Sequence, residues 1–291
     1  MRLGREKIAF FTVNYKNTLY TRNFVESLSR LKHFEKIKII ILDNASTSDT
    51  ISELERIKKM YHNIVECFYL DENLYYWRGA DYALRRVYPL TEYMPEWIII
   101  CNNDIIINQE NFLEKLMSLN YKEYGILAPS IKSYETNKDQ NPFLVFPLNI
   151  MDIIKRKILL SNWYVYRLIV VIRENIKNVK FKLLGFNKNI MYYGNDFMKI
   201  YAPHGSFVIF SRNFFEKGGY LDTNFDLYGE ELTIAEVALR IGVSVVYVPI
   251  LEVIHLEHRS LGKYMSKNNF YKAKKAFEYV CREYLNKKVI L

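Results

Sequence analysis

Two short motifs, far apart in the sequence, hold side chains that could bind a divalent cation. Asp104 ends the run Asn102-Asn103-Asp104 directly after an apolar segment, and His255 leaves another apolar segment. Mg²⁺ and Mn²⁺ commonly take only one or two carboxylates, with phosphate and water completing the shell. Asp104 and His255 are therefore candidate metal ligands, with His204 and His258 as competing histidines. The alternatives are an ordinary turn after a strand and a structural histidine.

A pair of glutamates could supply a general base. Glu230 and Glu231 follow Gly229 and open a helical pattern over residues 232–241. A hydroxyl that acts as a nucleophile must lose its proton, and a carboxylate within hydrogen-bonding reach can take it. The alternative is simple helix capping, because acidic residues in a first helical turn interact favourably with the helix dipole.

Polar side chains also follow the apolar segments in the first half of the chain. An arginine near a strand end could pair with a phosphate or stack on a base. Asn and Asp side chains could hydrogen-bond a nucleobase or a ribose, but they also form turns and helix N-caps, so both roles stay open. These candidate nucleotide-binding residues are Asn14, Asp43, Asn44, Asn73, Arg78, Asn102 and Asn103.

The segments that carry these residues alternate between strand and helix patterns. Four apolar runs are typical of strands, and amphipathic helical spacing separates them. The runs are residues 7–13, 37–42, 64–70 and 97–101. This βαβαβαβ order predicts an α/β fold with a parallel sheet and right-handed crossovers. Ligands of such sheets gather beyond the carboxyl ends of the strands, which is where the candidate residues fall.

Composition limits the class of protein. Half of the 291 residues are hydrophobic, which is enough for a sizeable core, and the three cysteines have no CxxC spacing. This pattern argues against a disulfide framework and a cysteine zinc site, and it favours a reducing cytosol. No signal peptide and no apolar run of transmembrane length is apparent, so we expect a cytoplasmic protein.

The net charge of +9 is concentrated in two segments. Residues 150–183 and residues 263–291 each hold eight Lys/Arg against two acidic residues, which gives +6 for each and −3 for the remainder. Both segments are also rich in apolar residues, a combination typical of helices on an anionic membrane surface. An ordinary helix with a solvated lysine face explains the pattern equally well. No DNA- or RNA-binding motif accompanies the charge, so we expect no nucleic-acid partner.

Residues 137–195 interrupt the alternating pattern and are interpreted as a basic, aromatic insertion. Helical pieces are expected within residues 150–175. The insertion could serve as a lid on the acceptor side, a membrane contact or a contact in a homodimer. The alternative is a packed surface excursion without a binding role.

Taken in order, these motifs resemble glycosyltransferase family 2, over residues 8–129 and 204–260. The similarity is greatest to the rhamnosyltransferase-like branch, which builds bacterial surface polysaccharides such as O-antigen or capsule. No Gln-x-x-Arg-Trp motif occurs, which argues against a processive synthase. The motifs are Thr12-Val-Asn-Tyr15, Asp43-Asn-Ala-Ser-Thr47, Asn73 to Asp81, Asn102-Asn-Asp104, Gly205-Ser206, Gly218-Gly-Tyr-Leu-Asp222, Tyr228-Gly-Glu-Glu231 and His255.

The resemblance implies a GT-A fold, which is a Rossmann-like α/β domain with a mostly parallel central sheet. Here it would carry a helical basic insertion and a C-terminal helix. Residues 1–291 would then form one domain, with a nucleotide-sugar half (7–131), the insertion (137–195), an acceptor and catalytic half (202–260) and a basic C-terminal helix (263–291).

The resemblance also implies an inverting, metal-dependent hexosyltransferase. Thr12, together with the polar strand ends above, would hold the nucleotide of a dTDP- or UDP-sugar. Asp104 and His255 would hold Mg²⁺ or Mn²⁺. Glu231, or Glu230 as the second candidate, would activate a saccharide acceptor. This acceptor is expected to be lipid-linked and to lie at the inner face of the cytoplasmic membrane. The family pair is usually Glu-Asp, and this chain has Glu-Glu.

Two alternatives come from other classes. A sugar-nucleotide pyrophosphorylase would need a glycine-rich, basic loop after the first strand, and residues 14–19 contain no glycine. A catalytically degenerate binding module would be expected to have lost candidate catalytic residues, and this chain has a candidate at every such position.

Overall fold

The computed structural model describes residues 6–175, 196–257 and 265–285; residues 176–195 of the expected insertion, and His258, lie outside them. The strands are β1 (Ile8–Asn14), β2 (Ile37–Asn44), β3 (Val65–Leu70), β4 (Trp97–Asn102), β5 (Ile105–Ile106), β6 (Ile126–Ser133), β7 (Met198–Ile200), β8 (Phe207–Ser211) and β9 (Val245–His255). The α-helices are α1 (Thr18–Ser29), α2 (Ser48–Met60), α3 (Tyr75–Val87), α4 (Phe112–Met117), α5 (Ile150–Leu159), α6 (Trp163–Asn175), α7 (Arg212–Glu216), α8 (Glu230–Arg240) and α9 (Lys267–Val280).

The strands form one sheet in the order β3-β2-β1-β4-β8-β6-β9-β5, with β7 paired to β9. β3, β2, β1 and β4 are parallel neighbours, as the alternating pattern predicts. β8 runs antiparallel between β4 and β6, and β9 is parallel to β6. In the described part of the chain, six of the nine strands therefore point the same way. Asn14 pairs with Asp43, and Val13 with Asn102, so the polar ends of three strands lie at one edge.

Helices cover both faces of the sheet, which makes a three-layer α/β/α arrangement. Along β1, Ile8 and Phe10 face the layer of α1, α2 and α4, whereas Ala9 and Phe11 face the layer of α3, α8 and α9. Because both faces of this strand are buried, its sequence is continuously apolar and does not alternate with polar residues.

The described part of the insertion consists of α5 and α6. α5 begins with a capping box, in which Asn149 and Asp152 each accept a hydrogen bond from the other's backbone N–H. α6 rests on α9, because the rings of Trp163 and Tyr166 lie 5.5 and 5.4 Å from that of Phe270. The insertion and the C-terminal helix are thus packed against each other.

The apolar side of α9 is buried, as in an ordinary helix with solvated lysines. Phe270, Phe277 and Val280 are at most 5% exposed, and their side chains face the protein. On another side of α9, the Lys272 ammonium lies 3.6 Å from the ring centroid of Tyr75 and 3.8 Å from a carboxylate oxygen of Asp226. The membrane alternative for this segment therefore finds no exposed apolar face on α9.

No helix in the described ranges combines the length and the apolar character that crossing a bilayer requires.

A buried carboxylate fixes the end of α9 to the loop before α8. Asp222 accepts hydrogen bonds from the hydroxyls of Tyr279 and Tyr284 and from the backbone N–H of Asn224. Replacing Asp222 by alanine should lower the free energy of unfolding by about 3 kcal/mol, because it leaves buried donors without an acceptor. Urea unfolding followed by circular dichroism would measure this. The control is Asp71→Ala at an exposed position, and equal stability of the two variants would contradict the role of Asp222.

Candidate active site

Backbone pairing brings Asp104 and His255 together, although 150 positions separate them. Ile105 of β5 pairs with His255 of β9, and the N–H of Leu256 donates to the carbonyl of Asp104 at 3.0 Å. The imidazole Nε2 of His255 lies 3.3 Å from Oδ1 of Asp104, and both residues are 8% exposed. The sequence-predicted metal ligands are therefore neighbours.

A hydrogen-bond chain behind His255 fixes the state of its ring. The amide Nε2 of Gln140 donates to Oε1 of Glu257 at 2.6 Å, so its Oε1 faces Nδ1 of His255 at 2.8 Å. Because an amide oxygen only accepts, Nδ1 carries the proton, and in the neutral ring the lone pair of Nε2 faces Asp104. Two acceptor atoms at this distance need a proton between them or a cation bound by both.

The donor set fits a hard or borderline divalent cation. Neighbouring ligands of an octahedral ion with bonds of about 2.1 Å are about 3 Å apart, close to the spacing of Asp104 and His255. Across the described residues, no group of three or more His, Cys, Asp or Glu side chains is arranged to hold a metal. Two protein ligands suit Mg²⁺ or Mn²⁺, whose shell is completed by phosphate and water, better than a structural zinc site.

The glutamate pair opens α8, where it has no side-chain N-cap in front of it. Oε1 of Glu231 accepts the N–H of Gly205 at 3.3 Å. A Cβ on Gly205 would lie only 2.9 Å from that oxygen, so glycine is what allows the contact. Burial and the charge of Glu231 raise the pKa of Glu230 to about 8. Burial also raises the pKa of Glu231, which the N–H of Gly205 and the charge of Arg156 lower in part.

Residues 204 and 205 lie between the pair of candidate metal ligands and the glutamate pair. The ring centroid of His204 is 6.1 Å from that of His255, while the N–H of Gly205 reaches Glu231. Tyr76 closes the same region, because its hydroxyl donates to the carbonyl of Gly205 at 3.0 Å.

The electrostatics of Tyr76 connect the two pairs. Burial raises its pKa, and the charges of Glu230, Glu231 and Asp104 raise it further, so all three carboxylates act on one phenol. Asp104 and the two glutamates thus all act on the hydroxyl that Tyr76 donates to the carbonyl of Gly205.

A second polar network joins three strand ends at the nucleotide-binding edge predicted from the sequence. The amide of Asn14 donates to Asp43 at 2.8 Å and accepts from the hydroxyl of Thr21 at 2.7 Å. The amide of Asn103 donates to the same hydroxyl at 2.9 Å, and Asp43 accepts the N–H of Ser46 at 2.9 Å. The structure therefore brings Asn14, Asp43 and Asn103 together, with Thr21 as their link.

The remaining candidates lie around this network. Asn44 holds the entry to α3, because its amide donates to the carbonyl of Tyr75 at 3.0 Å. Asn73 is exposed and caps the N–H of Tyr75 at 2.8 Å. Arg78 donates to the carbonyl of Thr223 at 3.3 Å, so it already contacts the loop before α8.

The other two candidates end or lie within buried strands. Asn102 ends β4, and its N–H donates to the carbonyl of Ser206 at 2.9 Å. Thr12 is buried inside β1, two residues before Asn14 at the polar edge, and its hydroxyl has no hydrogen-bond partner in the described structure.

Arg156 of α5 extends the site into the insertion. Its guanidinium lies 5.9 Å from the ring of Phe277; burial lowers the pKa of Arg156, and the charge of Glu231 opposes that effect. Since a nearby positive charge favours an ionised carboxylate, Arg156→Gln should raise the pKa of Glu231. The acid limb of the kcat/KM profile should then move to higher pH. Lys155→Gln, on an exposed part of the same helix, is the control, and coincident profiles would contradict this coupling.

Four residues of this region were missed by reasoning from the sequence: Thr21, Tyr76, Gln140 and Arg156. Tyr76 lies in the Tyr75-Tyr76-Trp77 stretch, and this unusual aromatic run was a usable signal. Thr21 lies one turn into α1, where a hydroxyl can face a strand end. Gln140 and Arg156 both lie in the insertion, where the sequence has no recognisable pattern.

A model described as "Glycosyl transferase family 2" matches residues 10–219. The low-salt glycan biosynthesis hexosyltransferase Agl10 of Haloferax volcanii is 21% identical over 255 residues, which cover 86% of this chain and 67% of that protein.

Solved structures share the fold at low sequence identity. GalNAc-T7 with UDP, GalNAc and Mn²⁺ has a TM-score of 0.60 and 14% identity, over 94% of this chain and 48% of that one. The mannosyltransferase PcManGT of Pyrobaculum calidifontis, in complex with GDP-Man and Mn²⁺, has a TM-score of 0.51 and 13% identity, over 95% and 70%. S. aureus TarS has a TM-score of 0.56 and 12% identity, over 96% and 40%.

This chain thus spans about half of the GalNAc-T7 chain and less than half of TarS. The predicted α/β, GT-A fold with a mostly parallel sheet is confirmed. Because the family model matches more than half of the 291 residues, the protein belongs to glycosyl transferase family 2.

Proposed function

We propose that this protein is an inverting, metal-dependent hexosyltransferase that moves a sugar from a nucleotide diphosphate to a saccharide hydroxyl. The observation that carries the proposal is the position of residues 204 and 205. The ring of His204 lies beside the ring of His255, and the N–H of Gly205 donates to Glu231. The candidate cation ligand His255 and the candidate base Glu231 are thereby connected through two consecutive residues. Membership of the family supports the reaction class.

Glu231 acts as the general base. Burial and the charge of Glu231 raise the pKa of Glu230, which disfavours Glu230 as the ionised base around neutral pH. The positive charge of Arg156 favours Glu231 as the ionised member. Glu231 accepts the proton of the acceptor hydroxyl. At the same time the oxygen of that hydroxyl bonds to the anomeric carbon, and the bond from this carbon to the diphosphate breaks. Attack opposite the leaving group inverts the anomeric centre.

Asp104 and His255 hold the cation, and Gln140 orients His255. When bound, a divalent cation neutralises negative charge on the leaving diphosphate. Complexes of structural neighbours with UDP or GDP-Man and Mn²⁺ support a nucleotide-sugar donor and a divalent ion. The residues Thr12, Asn14, Asp43, Asn44, Asn73, Arg78, Asn102 and Asn103 are proposed to surround the nucleotide. Holding both reactants in one site removes much of the entropic barrier to transfer.

For the donor nucleotide, the sugar and the acceptor, we propose the identities that the resemblance of the sequence motifs implies. The donor is a dTDP- or UDP-sugar, with rhamnose as the candidate sugar, and the acceptor is a lipid-linked saccharide of a bacterial surface polysaccharide. Transfer then takes place at the inner face of the cytoplasmic membrane.

A thermal-shift panel tests the donor and the metal together. A ligand that binds the folded state raises its apparent stability by mass action. We expect dTDP or UDP to raise Tm in the presence of Mn²⁺, and to do so less when EDTA replaces the metal. GDP and CMP serve as base controls. If no nucleotide raises Tm with or without Mn²⁺, the proposed function is rejected.

A further inference from the structure

The insertion presents an apolar surface that the described residues leave exposed. On α5, Ile150, Met151, Ile154 and Ile158 are between 42% and 60% exposed. On α6, four further large apolar side chains are between 41% and 74% exposed, and they are Tyr164, Leu168, Val171 and Ile172. We call these eight residues the outer face of the insertion.

The outer face is a continuous stripe on each helix. At 3.6 residues per turn, the four exposed apolar residues of α5 fall within an arc of about 100°, and the four of α6 within a similar arc. The opposite sides of the helices are packed. Ile153 and Leu160 contact the core, and Trp163 and Tyr166 contact α9. Both helices therefore have an apolar inner side and an apolar outer side.

Cations border the stripe of α5 on both edges. Lys157 lies about 20° beyond one edge of the arc and Lys155 about 40° beyond the other, and both are exposed. On α6, Arg167 lies about 40° from the arc. Lysines that flank an apolar stripe can bury their stems while the ammonium groups reach a charged headgroup layer.

We propose that the outer face of the insertion docks onto an anionic lipid bilayer, with α5 and α6 lying in the plane of its surface. The charge favours a bilayer over a second copy of this chain. A two-fold symmetric contact would place the lysines of both copies in one interface, where like charges repel. An anionic headgroup layer complements them.

Docking in this way has a consequence for the active site. Arg156, which acts on Glu231, lies on the side of α5 opposite the outer face. One helix diameter, roughly 10 Å, therefore separates the bilayer surface from Arg156. The purpose of this docking would be to bring a lipid-linked acceptor hydroxyl to Glu231, and that purpose rests on the proposed function. The binding itself does not depend on catalysis.

Vesicle co-sedimentation tests the docking. The wild-type protein is mixed with phosphatidylcholine vesicles with or without about 30 mol % phosphatidylglycerol, at about 0.1 M and about 0.5 M NaCl. The face variant is Ile154→Ser/Ile158→Ser/Leu168→Ser. A matched control removes three exposed apolar side chains elsewhere, as Met60→Ser/Leu90→Ser/Leu239→Ser. A charge variant is Lys155→Glu/Lys157→Glu.

We expect the wild type and the matched control to bind the anionic vesicles equally. The face variant should bind at least tenfold more weakly, and the charge variant should lose the preference for anionic over neutral vesicles. Equal binding by the face variant and the wild type, or no binding by the wild type at low salt, overturns the proposal. A wild-type dimer that the face variant converts to a monomer, without any vesicle binding, assigns the face to a second copy instead.

A separate readout distinguishes this proposal from the proposed function. The shift in Tm caused by UDP and dTDP with Mn²⁺ is measured on the wild type and the face variant. An unchanged shift in a face variant that has lost vesicle binding shows that the fold and the nucleotide site are intact. Vesicle binding by a wild type that no nucleotide stabilises rejects the proposed function and leaves the docking supported.

Discussion

Replacing Glu231 by glutamine should reduce sugar transfer about 10³-fold, because general-base catalysis by a positioned side chain is typically worth a factor of 10²–10⁴. Glutamine is close to glutamate in size, and its side-chain oxygen can still accept the N–H of Gly205 that the carboxylate accepts at 3.3 Å. The fold and the nucleotide site should therefore survive. Transfer is measured as release of the free nucleoside diphosphate from the donor that the thermal-shift panel identifies.

The matched control is Glu230→Gln, one residue earlier on the same helix. Because its raised pKa leaves Glu230 largely protonated near neutral pH, a neutral amide changes its charge little, and activity should fall much less. Nucleotide affinity, measured by calorimetry with Mn²⁺, should match the wild type in both variants. If Glu230→Gln abolishes transfer and Glu231→Gln does not, the roles of the two residues are the reverse of those proposed.

Replacing Asp104 by asparagine should weaken nucleotide binding in the presence of Mn²⁺ by a factor of at least about 10–100. That range is typical when a residue that supports a metal ligand is removed, and Asp104 is proposed to be a ligand itself. The reason is the loss of the anionic ligand of the pair formed with His255, 3.3 Å away. Affinity measured with EDTA should change little, because only the metal-dependent part of binding is removed. Isothermal calorimetry with and without Mn²⁺ separates the two parts.

Gln140→Leu provides a graded comparison in the same assay. Gln140 is a positioning residue, since it holds Nδ1 of His255 at 2.8 Å and does not lie between His255 and Asp104. Its loss should weaken the metal-dependent part less than Asp104→Asn does. A metal-dependent increment that is unchanged in Asp104→Asn would remove Asp104 from the cation site.

The sheet and its polar edge could be predicted because they depend on local patterns. Apolar runs of strand length, each ended by an Asn or Asp, specify where parallel strands end, and parallel strands end at one edge. Asn14, Asp43 and Asn103 accordingly meet in the structure. The sequence did not indicate Thr21, whose hydroxyl joins Asn14 to Asn103, because its orientation depends on how α1 packs against β1.

The two basic amphipathic segments show where composition stops being informative. α5 and α9 have similar charge and apolar content, but only packing decides which apolar side is buried. α9 turns Phe277 and Val280 inward, whereas α5 keeps Ile154 and Ile158 outward. In the same way, the proximity of Arg156 to Glu231 depends on how the insertion folds back over α9, and no spacing in the sequence encodes it.

The late position of α9 in the sequence matters while the protein is being made. His255 and every other proposed catalytic residue leave the ribosome before this helix does. Yet Lys272 contacts Asp226 and also Tyr75 at the start of α3, and Phe270 supports the insertion through Trp163. Because domains fold as units during synthesis, we expect a nascent chain to hold its substrates poorly until α9 has docked. Translation itself would then delay the onset of sugar transfer.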